Sequence, residues 1–377
     1  MHCFAGTALL EEFKMTAICD EKIVSKTDQA YDAVMKLIEM RGPGIKLPTI
    51  DEMCVQFDLS RTPLDNAIRL IETRGLLRRR RGSGIYVADR ARSKTLGVVF
   101  GGDIFSPGFS PFWSLLLQAA RGQAGEQGQI LRGYFDVSET VGNFGGHAQL
   151  IEDLDARRLD GVLLLAPQHD QDEAGLLRKY GVPFVALGGG PRDWLVTFDW
   201  DQFLRAAARE LARAGSRRIG LIGPLTHAAP LAQGLREAGA GEPVIADWSY
   251  ETWASIIPGA GSRENCARRV TEQMIAAAAT APLPDTLVSL EDTATRGALI
   301  ALMDAGIKPG RDIRVITAAN KGSPVLDAWA DDLVQFAFDP AEIMQAALGM
   351  LETVMNGGKP TVNPMLIAPH VARASSP

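Results

Sequence analysis

From residue 95 onward, short apolar runs alternate with helix-length amphipathic stretches, and this alternation confines the fold more than any other feature of the chain. The runs fall at 96–100, 130–135, 162–165, 184–187, 219–222, 244–246, 286–290 and 313–317. Helix candidates lie between them at 112–123, 202–214, 265–278 and 293–304. Strand and helix in alternation require parallel sheets with helices on both faces, because a parallel neighbour is reached only by a crossover. The spacing predicts two doubly wound lobes rather than one large sheet.

The stretch before residue 95 follows different rules. Tyr31, Val34, Met35 and Ile38 recur at helical spacing until Gly42-Pro43-Gly44 ends the pattern. Thr49-Ile50-Asp51-Glu52 has the form of a capping box, opening a short helix with Ile50, Met53, Cys54 and Phe57 inward. Asp58-Leu59 is a tight turn, Ser60 a candidate N-cap, and Leu64, Ala67, Ile68 and Ile71 form a third apolar stripe that stops near Gly75. Two short helices joined by a tight turn make a helix-turn-helix. Leu76-Leu77 then leads into Arg78, Arg79, Arg80 and Arg81, followed by Gly82-Ser83-Gly84 and Ile85-Tyr86-Val87, which reads as a two-stranded wing.

The formal charge of the whole chain is −6, yet residues 22–94 are net basic. Positive charge concentrated on a helix-turn-helix with a wing points to a polyanion, and duplex DNA is the polyanion that the order of elements fits. Arginines meet phosphates through charge-assisted contacts, and glycines admit close backbone approach to the minor groove. The bland alternative is a solvated basic hairpin.

Composition excludes several other classes. Apolar residues make up 46% and charged residues 22%, and no apolar run reaches the length of a membrane span, so a soluble, cytoplasmic protein is expected. Cys3, Cys19, Cys54 and Cys266 form no paired motif, and His2, His147, His169, His227 and His370 lack metal-ligand spacing. Neither a metal nor a cofactor is expected. Gly188-Gly189-Gly190 is followed by Pro191 rather than by a helix opening, so it reads as a cleft-lining turn. No nucleophile elbow, metalloprotease helix or phosphate loop occurs, and an enzyme is not expected.

The first region resembles the winged helix of the GntR family of repressors. The likeness is carried by Leu47-Pro48-Thr49, Leu59-Ser60-Arg61-Thr62-Pro63-Leu64, Ala67-Ile68, Gly75-Leu76-Leu77 and Gly82-Ser83-Gly84-Ile85-Tyr86-Val87. It implies DNA contacts by Lys46, Ser60, Arg61, Thr62, Arg78, Arg79, Arg80, Arg81, Gly82, Ser83 and Gly84, with Arg61 and Thr62 entering the major groove. Asp51 and Asp65 stand where that family commonly carries arginines; they either accept from a cytosine amino group or point away.

The second region resembles the effector domain shared by LacI-family repressors and periplasmic sugar-binding proteins. The collinear matches include Thr95-Leu96-Gly97-Val98-Val99, Ser110-Pro111-Phe112-Trp113, Leu159-Asp160-Gly161-Val162 and Val196-Thr197-Phe198-Asp199. Further on they include Ala214-Gly215-Ser216-Arg217-Arg218-Ile219-Gly220 and the segment Ala305-Gly306-Ile307-Lys308-Pro309-Gly310. The resemblance implies an effector between the lobes, touching Phe112, Trp113, Asp136, Asp199, Trp248, Asp292 and Asn320, with carbohydrate as the expected class. The structural alternatives are core packing for the two tryptophans and helix capping for Asp199 and Asp292. Leu231 and Ala319 replace two polar ligand contacts of many relatives.

The expected organisation is therefore a disordered extension at 1–21, with Met15 an alternative start, a winged helix at 22–88, a linker at 89–94 and an effector domain at 95–377. Lobe one is expected at 95–197 and 338–358, and lobe two at 198–337 and 359–377. The expected function is a homodimeric repressor that binds operator DNA under control of a small molecule; the rival readings are a ligand-binding protein that has lost DNA affinity and an enzyme of the α/β cleft.

Overall fold

The computed structural model describes residues 25–88, 93–100, 110–135, 148–165, 172–188, 193–223, 225–240, 244–247, 262–278 and 282–373. The expected extension at 1–21, Asp136 and Trp248 lie outside the described residues, as does most of the expected linker. The chain divides into two compact units, Met1–Arg92 and Ser93–Pro377.

In the first unit, α1 (Lys26–Arg41) opens on a capping box in which Ser25 accepts from the Asp28 amide and Asp28 reaches back to the Ser25 amide. It buries Ala30, Tyr31, Val34, Leu37 and Ile38 at intervals of one helical turn. The capping box expected at Thr49 is present, with the Thr49 amide donating to Glu52 Oε2 at 2.7 Å, and it starts α2 (Ile50–Phe57). Asp58, left-handed at φ 52°, ends α2, and α3 (Arg61–Thr73) follows with Leu64, Ala67, Ile68 and Ile71 fully buried. Strands β1 (Leu77–Arg80) and β2 (Gly84–Val87) close this core with Leu77, Ile85 and Val87.

The second unit contains two six-stranded sheets. The first has the order β13-β7-β6-β5-β3-β4 and is parallel throughout. Its strands are β3 (Thr95–Phe100), β4 (Ile130–Tyr134), β5 (Gly161–Leu165), β6 (Phe184–Leu187), β7 (Leu195–Phe198) and β13 (Met365–Ile367). The second has the order β14-β12-β11-β10-β8-β9, from β8 (Arg218–Ile222), β9 (Val244–Asp247), β10 (Thr286–Ser289), β11 (Arg314–Asn320), β12 (Val334–Phe338) and β14 (His370–Arg373). Central strands β5, β6 and β10 are buried at every residue, whereas β4 and β13 expose residues at the sheet edges. Burial on both faces makes the central strands continuous apolar runs, and half-solvated edges lose that signature.

The tail corrects one expected lobe boundary. The expected lobe two holds all of 359–377, but β13 joins β7 in the first sheet and only β14 reaches the second. The second sheet is also not purely parallel, because β14 runs antiparallel to β12. The tail returns directly from one sheet to the other without the crossover helix that a parallel pair demands.

The chain thus passes between sheets three times: from β7 into α7 (Trp200–Ala214), from β12 into the helix α11 (Pro340–Met355), and from β13 to β14. The first two passes share one local device. Phe198-Asp199 and Phe338-Asp339 each end a strand with a phenylalanine and cap the next helix with an aspartate. Asp199 accepts from the Gln202 amide and Asp339 from the Ala341 amide, both at 2.9 Å. The two rings meet at 4.7 Å between centroids, so the carboxyl ends of the two sheets are joined by aromatic contact.

At the edge of the first sheet, buried Asp153 on α5 (Ala148–Asp155) accepts from Tyr134, Arg132 and Arg158. Burial raises the carboxyl pKa, but hydrogen bonds from Tyr134, Arg158 and Arg132 outweigh it and hold Asp153 below the ordinary aspartate range. Burial and the same carboxylate push the Tyr134 phenol well up.

Candidate nucleic-acid interface and interlobe cleft

The start of α3 is shaped by the turn before it. Asp58 takes a left-handed conformation, Ser60 is extended, and the exposed Ser60 hydroxyl makes no cap hydrogen bond. The positive end of the helix dipole and the hydroxyl therefore face outward beside exposed Arg61 and Thr62. Neither alternative for the acidic pair describes their main contact. Asp51 Oδ1 accepts from Arg61 Nη1 at 2.8 Å, and Asp65 Oδ2 lies 3.8 Å from Arg61 Nε. The two carboxylates flank the arginine expected to read DNA.

The wing separates the four arginines instead of presenting them together. Strand periodicity of two places Arg78 opposite Tyr86 and Arg80 opposite Gly84 on one face, while Arg79 pairs with Ile85 on the other. Arg79 binds Glu72 of α3 at 3.1 Å, and Arg80 stacks over the Tyr86 ring at 4.6 Å. Arg78 and Arg81 are exposed and have no ion pair among the described residues. Lys46 bridges Tyr86 from the other side, so Lys46, Tyr86 and Arg78 lie abreast across the outer face. Gly82 (φ 72°) and Gly84 (φ 121°) adopt turn conformations that side chains oppose, and a Cβ on Gly84 would lie 2.7 Å from Lys46 Cε. Ser83 Oγ is 2.7 Å from the Tyr86 hydroxyl, which ties the turn to the strand.

In the second unit, the carboxyl ends of both sheets converge on an aromatic floor. Phe112 is 6% exposed and lies 5.4 Å from Phe198, while Trp113 is half-buried beside Phe112 and Phe100. Trp200 contacts Phe198 and Phe338 at 5.3 Å, and His227 at 5.8 Å. Asp199 is half-buried and caps α7. Asp292 is 1% exposed, with one oxygen accepting from Asn320 at 3.1 Å and Ser323 at 2.8 Å and the other from the Thr293 amide. It therefore orients Asn320, whose side-chain carbonyl oxygen stays available as an acceptor. Leu231 and Ala319 are buried among apolar side chains, and neither presents a polar group.

Phe198, Trp200, Phe338 and Glu291 are not among the ligand contacts expected from the sequence. The repeated Phe-Asp before a helix was the available signal for the first and third. Glu291 follows the central strand β10; Oε1 accepts from Thr293, whereas buried Oε2 has no hydrogen-bond partner among the described residues. Burial pushes this carboxyl above the ordinary glutamate range, only partly offset by Arg263 at 3.8 Å and the Thr293 hydroxyl. A raised carboxyl pKa means the native state holds its proton longer than the unfolded chain, so stability falls as pH climbs above the ordinary glutamate range and levels off once Glu291 has ionised. Glu291→Gln is expected to raise the melting temperature at pH 8 by roughly 2–4 °C, with the gain vanishing in acid. Thermal scans across pH that show no gain at pH 8 would count against a strained carboxylate.

With this geometry in place, comparison with known proteins is decisive. Residues 26–87 match the family described as bacterial regulatory proteins, gntR family, and residues 208–376 match the periplasmic binding protein-like domain. The chain joins a GntR-type DNA-binding domain to a periplasmic-binding-protein-like domain. This is the architecture of a DNA-binding transcription regulator, and neither matched description is that of an enzyme.

The fold of the binding-protein-like part recurs in solved structures. Transcription regulator CcpA of Lactococcus lactis is 16% identical at a TM-score of 0.55, with 75% of this chain and 98% of that chain covered. A putative ribose operon repressor from Burkholderia thailandensis is 21% identical at 0.55, covering 75% and 100%. A dimeric Lac repressor lacking 11 C-terminal residues is 18% identical at 0.56, covering 74% and 97%. No helix among the described residues is long and apolar enough to cross a membrane, and no group of three or more His, Cys, Asp or Glu among them is placed to hold a metal.

Proposed function

We propose that this regulator is a cytoplasmic, homodimeric repressor whose two winged helices grip a two-fold operator and whose affinity is set by a small molecule in the interlobe cleft. The observation that carries the reading is the coexistence of two recognition surfaces in one chain. One is the outward file of Lys46, Tyr86 and Arg78 on the wing, in the same unit as the exposed start of α3; the other is the aromatic floor where the strand ends of both sheets meet. Ser60, Arg61 and Thr62 supply the major-groove contacts, and Lys46, Arg78, Arg80, Arg81 and the Gly82-Ser83-Gly84 turn supply phosphate and minor-groove contacts. Dimerisation follows from the usual two-fold symmetry of operators and from the dimeric Lac repressor of like fold.

The effector is a sugar or sugar derivative held against Phe112 and Trp113, with Asn320, oriented by Asp292, and Asp199 at the polar side, and with Asp136 and Trp248 completing the site. An aromatic face against the apolar face of a ring, beside a few hydrogen-bonding groups, is the chemistry of such sites. Burial of Leu231 and Ala319 removes two polar contacts and favours a less polar ligand than a free hexose. Ligand binding shifts lobe closure, and the segment at 89–94 carries the change to the DNA-binding domain.

The test is fluorescence anisotropy of the full chain on duplex DNA from its own upstream region, across a salt series and then with a panel of sugars, deoxy sugars and alkyl glycosides. Affinity should fall steeply with salt, and one panel member should release the DNA. Affinity that does not change with salt defeats the DNA-binding reading. A second reading, a ligand-binding protein with lost DNA affinity, is favoured by the carboxylates beside Arg61; a panel member that raises the melting temperature without any measurable DNA binding would establish it.

A further inference from the structure

We propose that Asp51 and Asp65 make Arg61 the guanine-reading residue of the recognition helix, by fixing its guanidinium and by turning phosphate away from it. The inference rests on the DNA-binding reading and adds which base is read and what enforces it.

Arg61 is the first residue of α3, with a side chain 63% exposed. Asp51, in the first turn of α2, is 78% exposed and accepts from Nη1 at 2.8 Å. Asp65, one turn along α3, stands 3.8 Å from Nε. The Arg61–Asp51 pair is exposed on both sides and the Arg61–Asp65 pair, with Asp65 29% exposed, is long, so neither adds much to the stability of the fold and holding the domain together does not account for the arrangement. Its effect falls on the arginine itself. A free arginine loses much of its rotamer freedom on docking; one already braced from two helices loses less.

Donor arithmetic then decides what the braced group presents. A guanidinium has five N–H donors. Asp51 takes one on Nη1 and Asp65 faces Nε, which leaves one hydrogen on Nη1 and both on Nη2. In this proposal Asp51 takes the Nη1 hydrogen turned away from Nη2, so that the other Nη1 hydrogen and the Nη2 hydrogen beside it form the two-pronged end that matches the adjacent O6 and N7 acceptors of guanine, while adenine places an amino donor where O6 would be. Charge acts in the same direction. Two carboxylates around one guanidinium leave this patch net negative, so a phosphate is repelled while a neutral base edge is repelled much less. The cations of the wing lie outside this patch and hold the backbone. Exposed Thr62, Asn66 and Arg69 continue the same helix and supply further contacts.

The experiment is selection from a random duplex pool by the full chain, compared with Arg61→Ala and with the double variant Asp51→Ala/Asp65→Ala. Binding of each protein to unselected duplex is measured in parallel across salt. All three proteins should unfold at nearly the same temperature, since Arg61 and Asp51 are exposed and Asp65, 29% exposed, is partly solvated. The unaltered chain should enrich a half-site with one invariant guanine, preferred over other bases by about 10- to 100-fold, the range of a good bidentate contact. Arg61→Ala should lose that preference. The double variant should bind unselected duplex several-fold more tightly yet prefer the guanine by less than about threefold.

A guanine preference that survives intact in the double variant overturns the proposal. A preference that strengthens overturns it too, because the carboxylates would then merely mask Arg61. In both cases salt-dependent binding to unselected duplex leaves the DNA-binding reading standing. Failure of all three proteins to bind any duplex at low salt removes that reading, and the proposal with it.

Discussion

Gly297→Ala is expected to lower the melting temperature of the binding-protein-like domain by roughly 5–10 °C. Gly297 lies on the helix α10 (Asp292–Asp304), which packs along α9 (Arg263–Ala277). A Cβ at this position would lie 2.0 Å from the backbone oxygen of Glu264, 2.9 Å from its carbonyl carbon and 3.1 Å from the Arg268 amide nitrogen. These are backbone atoms of a helix, so no rotamer change relieves the clash and the two helices must separate. Separation withdraws Ala267, Val270, Ala294 and Ala298 from the tight contact they make in the core. Overpacking of this kind destabilises by about 1–3 kcal/mol or more, well above the helix-propensity gain of about 1 kcal/mol that alanine brings. Differential scanning calorimetry checks it. Gly349, exposed to no neighbour within 4 Å on α11, is the control: there alanine should be neutral or stabilising. An unchanged melting temperature for Gly297→Ala would show that the helix pair is looser than described.

Arg78→Ala/Arg81→Ala is expected to weaken binding to duplex DNA by about 10- to 100-fold near 0.1 M salt and to reduce the slope of log affinity against log salt by about two. These arginines are exposed and free of ion pairs among the described residues, so their charge is available to phosphates. Arg79→Ala should leave the slope nearly unchanged, because the Arg79 guanidinium is held by Glu72 on the opposite face of the ribbon. Its loss should instead remove up to about 1 kcal/mol of stability, the ordinary value of a partly exposed pair. Anisotropy titrations at several salt concentrations separate the two. If Arg79→Ala flattens the slope as much as the double variant does, the strand does not divide the arginines as described.

Much of this was legible beforehand, for identifiable reasons. The capping box at Thr49, the turn at Asp58 and the apolar stripe of α3 are local, set by neighbours within one helical turn. Central strands such as β5 and β6 announce themselves because burial on both faces excludes polar residues. Strands β7, β12, β13 and β14 are not among the expected runs; Gln335 interrupts β12, β13 is three residues long, and β14 begins and ends on polar His370 and Arg373. The run of four arginines is conspicuous in the sequence, but a run does not show that a two-residue period sends its third side up to one face and its second to another. Asp51 and Asp65 were conspicuous as well, while their shared partner was not, because Arg61 and Asp51 lie ten residues apart on different helices.

The alternation of strand and helix, with the local signals of the winged helix, was therefore sufficient by itself to determine two domains, their classes and the order of most of their elements. Those features depend on hydrophobic period and short-range hydrogen bonding, which the chain states residue by residue. Only the tertiary structure decided that the tail divides between the two sheets, that two aspartates flank Arg61, that Glu72 withdraws Arg79 from the outer face, and that Glu291 is buried with one oxygen lacking a hydrogen-bond partner among the described residues. Each of these is set by residues brought together across the fold, where packing and burial determine which charges meet and which are left alone.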